Sequence, residues 1–195
     1  ATAQLGSDSL SRAEDPRVAK SLPRLERALE RASNLASDTL KYGRSSTPET
    51  SLQPVRLSDI VEEASAEALA AYGEIQFTNA VIDEAIAQAD PDHLHRICAN
   101  LIRNAAEAME GQGEISVGFD GAALSVLDSG PGLPDQAKTN LFKPFAGSTR
   151  RDGTGLGLAL SRDLARAMGG DLELGETGES GTRFVIFLPK ADHGA

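Results

Sequence analysis

Two asparagines four residues apart, an aspartate that opens a Gly-x-Gly turn, and a second glycine-rich run are the parts of this chain suited to chemistry. Asn100 and Asn104 fall within Asp90-Pro91-Asp92-His93-Leu94-His95-Arg96-Ile97-Cys98-Ala99-Asn100-Leu101-Ile102-Arg103-Asn104-Ala105-Ala106-Glu107-Ala108-Met109. A helix from Asp92 to Met109 puts both amides on one face. Amides offer oxygen to a hard cation and N–H to an anion. A small divalent cation keeps several waters and takes one or two protein oxygens beside phosphate. A solvated helix face would serve these asparagines equally well. Leu94, Ile97, Leu101 and Ala105 mark an apolar side but do not fix where the amides point.

The second piece is Asp128-Ser129-Gly130-Pro131-Gly132-Leu133, which follows the apolar run Ala122 to Leu127. That run reads as a strand. An acid at a strand end, followed by Gly-x-Gly, gives a fixed carboxylate and a backbone that a flat ring can approach. The third piece is Gly153-Thr154-Gly155-Leu156-Gly157-Leu158, at the start of an apolar helix from Leu156 to Met168. Glycines at a helix start leave N–H groups and a positive dipole end, which suit phosphate. Between the last two pieces lie Leu141-Phe142-Lys143-Pro144-Phe145 and a polar run with Arg150 and Arg151.

The elements around these pieces follow from periodicity. Pro54 to Leu57 reads as a short strand, and Ser58 as the cap of a helix to about Ala71. Ile75 to Asn79 alternates like a strand, and Ala85 to Gln88 resembles another. Glu114 to Phe119 and Ala122 to Asp128 form a hairpin about Asp120-Gly121. Asp171 to Leu174 and Thr182 to Leu188 close the chain. This mixture predicts an α/β fold, a two-layer sandwich with helices on one face of a mixed sheet.

Upstream, Leu22, Leu25, Leu29, Ala32, Ala36 and Thr39 form a four-three seam, with Pro23 near its start and Gly43 as its C-cap. Ser45 to Ser51 reads as a linker, dividing the chain into 1–48 and 52–195. A helical hairpin of that size cannot bury its own seam, so it predicts a homodimer through a four-helix bundle. The net charge of −10 argues against nucleic acid and anionic membranes as partners. Cys98, the single cysteine, excludes an internal disulfide and fits a reducing, cytoplasmic setting. No apolar run approaches the roughly 18 residues of a membrane span, and no signal peptide is legible.

Together the pieces resemble the ATP-binding domain of sensor histidine kinases, whose superfamily includes gyrase, Hsp90 and MutL and whose nucleotide site is called the Bergerat fold. The N, G1, F and G2 boxes of that family are matched in order. The resemblance implies ATP and Mg²⁺ as cofactors. It implies Asn104 as the Mg²⁺ ligand and Asn100 at the phosphates. Asp128 and Thr182 would meet adenine, with Gly130 and Gly132 beside it. Lys143, Arg150, Gly153, Thr154, Gly155, Leu156 and Gly157 would form the phosphate end, under a lid from Phe142 to Thr154 with its phenylalanines docked. It further implies a phosphoacceptor histidine on the helical hairpin, outside this sequence, and a response-regulator receiver domain as partner. Any membrane anchor would belong to upstream segments.

His93 and His95 lie two apart on the N-box helix and His193 in a polar tail, which suits none of them as phosphoacceptor. The chain by itself should therefore not autophosphorylate. Competing readings are an ATPase or a serine kinase of the same superfamily, and a phosphotransfer scaffold with a non-catalytic ATP domain. ATPases of the superfamily place a Glu one turn before the metal-binding Asn, where this chain has Asn100.

Overall fold

The computed structural model describes residues 50–145 and 155–189. The helical hairpin, its dimer seam, most of the linker, residues 146–154 with Arg150, Arg151, Gly153 and Thr154, and the tail with His193 lie outside the described residues.

The chain enters through β1 (Gln53–Arg56), followed at once by α1 (Leu57–Leu69). Leu57, Val61, Ala64 and Ala68 form one buried stripe at helical spacing. The expected cap, Ser58, is instead a buried residue inside the first turn, and no side chain caps α1. The first N–H of the helix, from Leu57, donates to the Ala85 carbonyl at 2.9 Å, so a tertiary bond stands where a local cap was expected. After β2 (Glu74–Asn79) comes β3 (Ile86–Ala89), which pairs antiparallel with β1 in a separate two-stranded sheet.

Helix α2 (Pro91–Ala108) carries the longest buried stripe, including Leu94, Ile97, Leu101, Ile102 and Ala105. It leads into β4 (Gln112–Phe119) and β5 (Ala123–Asp128). The predicted hairpin between them forms, with Asp120 Oδ1 accepting the N–H groups of Ala122 and Ala123 at 3.0 and 2.9 Å. A short helix, α3 (Asp135–Asn140), then α4 (Gly157–Ala167), β6 (Asp171–Gly178) and β7 (Gly181–Phe187) complete the order.

The larger sheet runs β2-β4-β5-β7-β6. Only β2 and β4 are parallel; every other pairing in it is antiparallel. Its inner face presents Ile115, Val117, Leu124, Val126, Leu172, Phe184 and Ile186 to α1, α2 and α4, and these aliphatic side chains form the core. The fold is therefore the expected two-layer sandwich of helices on a mixed sheet. The core packs α2 against β4 and β5 and against α4, beside the end of β5 that carries Asp128.

Candidate functional site

Asp90 is the N-cap of α2 and Pro91 its first residue, a pairing that fixes where the helix starts. The Asp90 carboxylate accepts the His93 N–H at 3.0 Å and the Ser51 N–H at 2.8 Å. Burial acts to raise its pKa, but those two N–H groups, together with the His93 charge and the Asp92 N–H, hold the carboxyl below its usual range. Further along α2, Asn100 and Asn104 are half-buried, one turn apart, at the edge of the apolar stripe. Asn100 Nδ2 donates to Ser161 Oγ of α4 at 3.0 Å.

Asp128 ends β5, with Ile115 and Thr182 as its neighbours across the sheet. It is 6% exposed. Its Oδ1 accepts the Gly130 N–H at 2.8 Å and the Thr182 N–H at 3.2 Å. Thr182 Oγ1 shares a hydrogen bond with Thr177 Oγ1 at 3.1 Å, and Thr177 Oγ1 accepts the Leu133 N–H at 2.9 Å. The turn after β5 is thus tied to both strands of the terminal hairpin. Gly132 has φ of 78°, and a Cβ there would overlap the Gly178 carbonyl, so only glycine lets the turn lie against that hairpin.

Phe142 packs against the core, and the Arg162 guanidinium lies over its ring, 4.6 Å from the centroid. Arg162 is held by Asp171 through two bonds, Nε at 2.8 Å and Nη2 at 3.1 Å. Arg166 reaches the same carboxylate at 3.1 and 3.3 Å. Bonding to Arg162 is the main reason the Asp171 carboxyl sits far below the usual range. The Phe145 N–H donates to the Gly155 carbonyl at 3.1 Å. This brings together the two sides of the stretch between the F and G2 boxes. Phe145, expected with Phe142 to dock on this domain or on the hairpin, is 64% exposed, and the hairpin lies outside the described residues. Its φ of 63° lies in the left-handed region, uncommon for a residue other than glycine.

Helix α4 starts at Gly157, after the fully buried Leu156, and no side chain caps it. Its first turn faces Asn100, since a Cβ on Gly157 would lie 2.6 Å from Asn100 Oδ1. An open cavity of about 480 Å³ adjoins Gly130 at the other end, beneath the last turn of α2. Glu110 and Glu179 line it, so that end disfavours an anion. One end of the site thus offers a buried carboxylate and a glycine-containing turn, the other a helix N-terminus and the Asn100 amide.

A family model described as histidine kinase-, DNA gyrase B-, and HSP90-like ATPase matches residues 89–192, a span that contains α2, Asp128, the F stretch, α4 and Thr182. The chain belongs to that ATPase family. Within it, the chain is 37% identical over 148 residues to the sensor histidine kinase ZraS of Salmonella typhimurium, covering 71% of this chain and 31% of ZraS. Among solved structures, the mycobacterial sensor histidine kinase MprB superposes with a TM-score of 0.61 at 26% identity, covering 70% of this chain and 97% of that one. Full-length ShkA in complex with AMPPNP gives a TM-score of 0.72 at 26% identity, covering 92% of this chain and 40% of that one. The chain spans about a third of the length of ZraS. The ATP-binding domain is of the sensor histidine kinase type.

In this ATPase-family domain the structure gathers Asn100, Gly155, Leu156 and Gly157 at one end and Asp128, Gly130, Gly132 and Thr182 at the other. Asn104 stands on α2 one turn beyond Asn100. Lys143 is exposed, with Nζ on Asn140 Oδ1 at 3.1 Å. Three residues that sequence reasoning passed over join the site. Thr177 couples Thr182 to Leu133, Arg162 holds Phe142, and Ser161 holds Asn100. A polar residue on the buried face of an apolar helix was the signal for Ser161. Thr177 gave none, because it faces Thr182 only through the irregular register of β6 between Leu174 and Thr177. His93 and His95 lie on α2, with His95 Nε2 3.6 Å from Glu67. Burial pushes the Cys98 thiol up to about 12, which leaves it inert.

Proposed function

We propose that this chain is the ATP-binding part of a sensor histidine kinase. It holds Mg-ATP and presents the γ-phosphoryl to a histidine outside these 195 residues, from which a response-regulator aspartate receives it. The observation that carries the reading is the Asp128 carboxylate. It is buried at the end of β5 and aligned by the Gly130 and Thr182 N–H groups, beside the turn that carries Gly130 and Gly132. A fixed carboxylate acceptor suits the exocyclic amine of adenine, and a hydrogen bond to a charged acceptor contributes about 1.5–3 kcal/mol.

The residues present fit the nucleotide. The Asp128 carboxylate is held by two N–H donors, and the missing side chain of Gly157 lets Asn100 sit beside the start of α4. Asn104 would hold the cation through its amide oxygen, with Asn100 beside it. The N–H groups at the start of α4 would take phosphate oxygens. Lys143, Arg150, Gly153 and Thr154 complete the proposed phosphate end. When bound, Mg-ATP supplies the phosphoryl group and the charge that offsets its oxygens. What this chain contributes is position and fixed dipoles, the main terms in phosphoryl transfer. The bond from γ-phosphorus to ADP breaks as a nitrogen–phosphorus bond forms, and ADP is the leaving group.

Asn100 stands where ATPases of the superfamily have a glutamate base, so the chain has no group placed there to activate water. Division into a dimerising hairpin over 1–48 and this domain over 52–195, with a homodimer through the hairpin, belongs to the same proposal. So does anchoring of the whole protein to a membrane by upstream segments. The described residues contain no helix long and apolar enough to cross one.

Incubation with γ-labelled ATP tests the reading. Expected is nucleotide binding without phosphohistidine on His93, His95 or His193. A longer form of the protein that includes the preceding helix should gain acid-labile label on a histidine there. Label on a serine of this chain, or steady release of inorganic phosphate, would contradict it.

A further inference from the structure

Ser161 lies on the second turn of α4 and is 3% exposed. A hydroxyl is a costly choice there. Helix interiors favour Ala or Leu, and a buried hydroxyl destabilises unless it is bonded. The other buried residues of α4 are Ala159, Leu164 and Ala165, which need no polar companion. The bond that satisfies Ser161 comes from Asn100 Nδ2, at 3.0 Å. One turn earlier on the same side of α4 stands Gly157. A Cβ there would lie 2.6 Å from Asn100 Oδ1 and 3.2 Å from its Cγ and Nδ2, so the missing side chain is the room the amide fills. Helix α4 therefore grips Asn100 at two points, a notch at 157 against the oxygen and a hydroxyl at 161 against the nitrogen.

An asparagine can present either edge to a nucleotide, its oxygen to a cation or its N–H to a phosphate. We infer that Ser161 is a positioning residue that settles this choice: by engaging Nδ2 it turns the Asn100 carbonyl oxygen toward the start of α4, where it supports the cation of a bound nucleotide together with Asn104. The inference rests on the nucleotide reading above. Removal of the hydroxyl frees the amide to turn over. Its N–H edge then meets phosphate about as well but opposes a cation. The loss should therefore depend on magnesium.

Calorimetric titration of ADP into the 195-residue chain, with magnesium and with a chelator, tests this. In magnesium, Ser161→Ala should weaken binding about 3- to 10-fold, the size expected of one lost hydrogen bond. In the chelator the change should stay under about twofold, because no cation remains to be opposed. Ser161→Thr, which keeps the hydroxyl, should bind within about twofold of the original chain, and this also guards against a simple packing effect. In an Asn100→Ala background, Ser161→Ala should add nothing, as expected when two residues act through one contact. Unchanged binding by Ser161→Ala in magnesium would overturn the inference. So would an equal loss in the chelator, or the same loss in the Asn100→Ala background. Failure of the original chain to bind ADP at all would instead overturn the nucleotide reading.

Discussion

At the residue scale the site depends on single atoms held by backbone donors. Asp128 Oδ1 serves Gly130 and Thr182 together, so the carboxylate cannot swing away from the turn. Thr177 extends that control, because its hydroxyl accepts the Leu133 N–H while touching Thr182. Thr177→Val should leave that N–H unsatisfied and destabilise the chain by about 1–3 kcal/mol, visible as a lower midpoint in urea. It should also weaken ADP binding, since the turn that carries Gly130 and Gly132 loses a tie to β6. An unchanged midpoint would mean that solvent replaces Thr177 without cost. Asp128 and the two asparagines were legible in the sequence because their spacing to glycines and to the helical repeat is local. Ser161 showed only as a polar residue on a buried helix face, with no sign of its partner Asn100, and Thr177 gave no signal, because it acts through the irregular register of β6 and on Leu133, distant in the chain.

At the element scale the chain follows periodicity closely wherever one face is apolar. Helix α2 was read from Asp92 to Met109 and observed from Pro91 to Ala108, its start fixed by Asp90. Boundaries moved where tertiary bonds replaced local ones. Helix α1 starts at Leu57 because Ala85 accepts its first N–H, and β3 reaches Ala89 because it pairs with β1. Helix α3, of 6 residues, was missed inside a polar stretch, since one turn and a half has no periodicity to read. The contact between α4 and β6 yields a pH prediction. Asp171 is held low first by Arg162 and also by Arg166, so its pKa rises on unfolding. Such a group stabilises the fold above its unfolded value, near pH 4, and that contribution is lost as pH falls toward the folded value. Asp90, also held low, acts in the same direction. Thermal melts from pH 7 to pH 3 should therefore show falling stability, and Asp171→Asn should lower the melt at pH 7 while flattening the acid limb. An acid limb of unchanged slope in that variant would show that other carboxylates dominate.

At the scale of the whole molecule, the two-layer sandwich and its family were legible because three glycine- or asparagine-marked stretches and the Phe142 to Phe145 stretch occur in one order. The pairing of β1 with β3 in a sheet of its own was not, since two short strands carry no sign of their partners. The seam over residues 22–39 yields a prediction that lies outside the described residues. Removal of residues 1–48 should leave a monomer that still binds ADP, whereas the entire chain should sediment as a dimer. Loss of ADP binding on that removal would mean that the domain is not independent.

The central claim is that Asp128 reads adenine at the end of β5 while α2 and α4 hold a magnesium-bound phosphate tail. Its most direct test is titration of ADP and GDP, in magnesium, into the original chain and Asp128→Asn. The original chain should bind one ADP saturably and discriminate against GDP, which lacks the adenine amine. Asp128→Asn should bind ADP about tenfold or more weakly, as expected from losing a charged acceptor. Equal affinity of the original chain and Asp128→Asn for ADP, or no binding at millimolar ADP, would contradict the account.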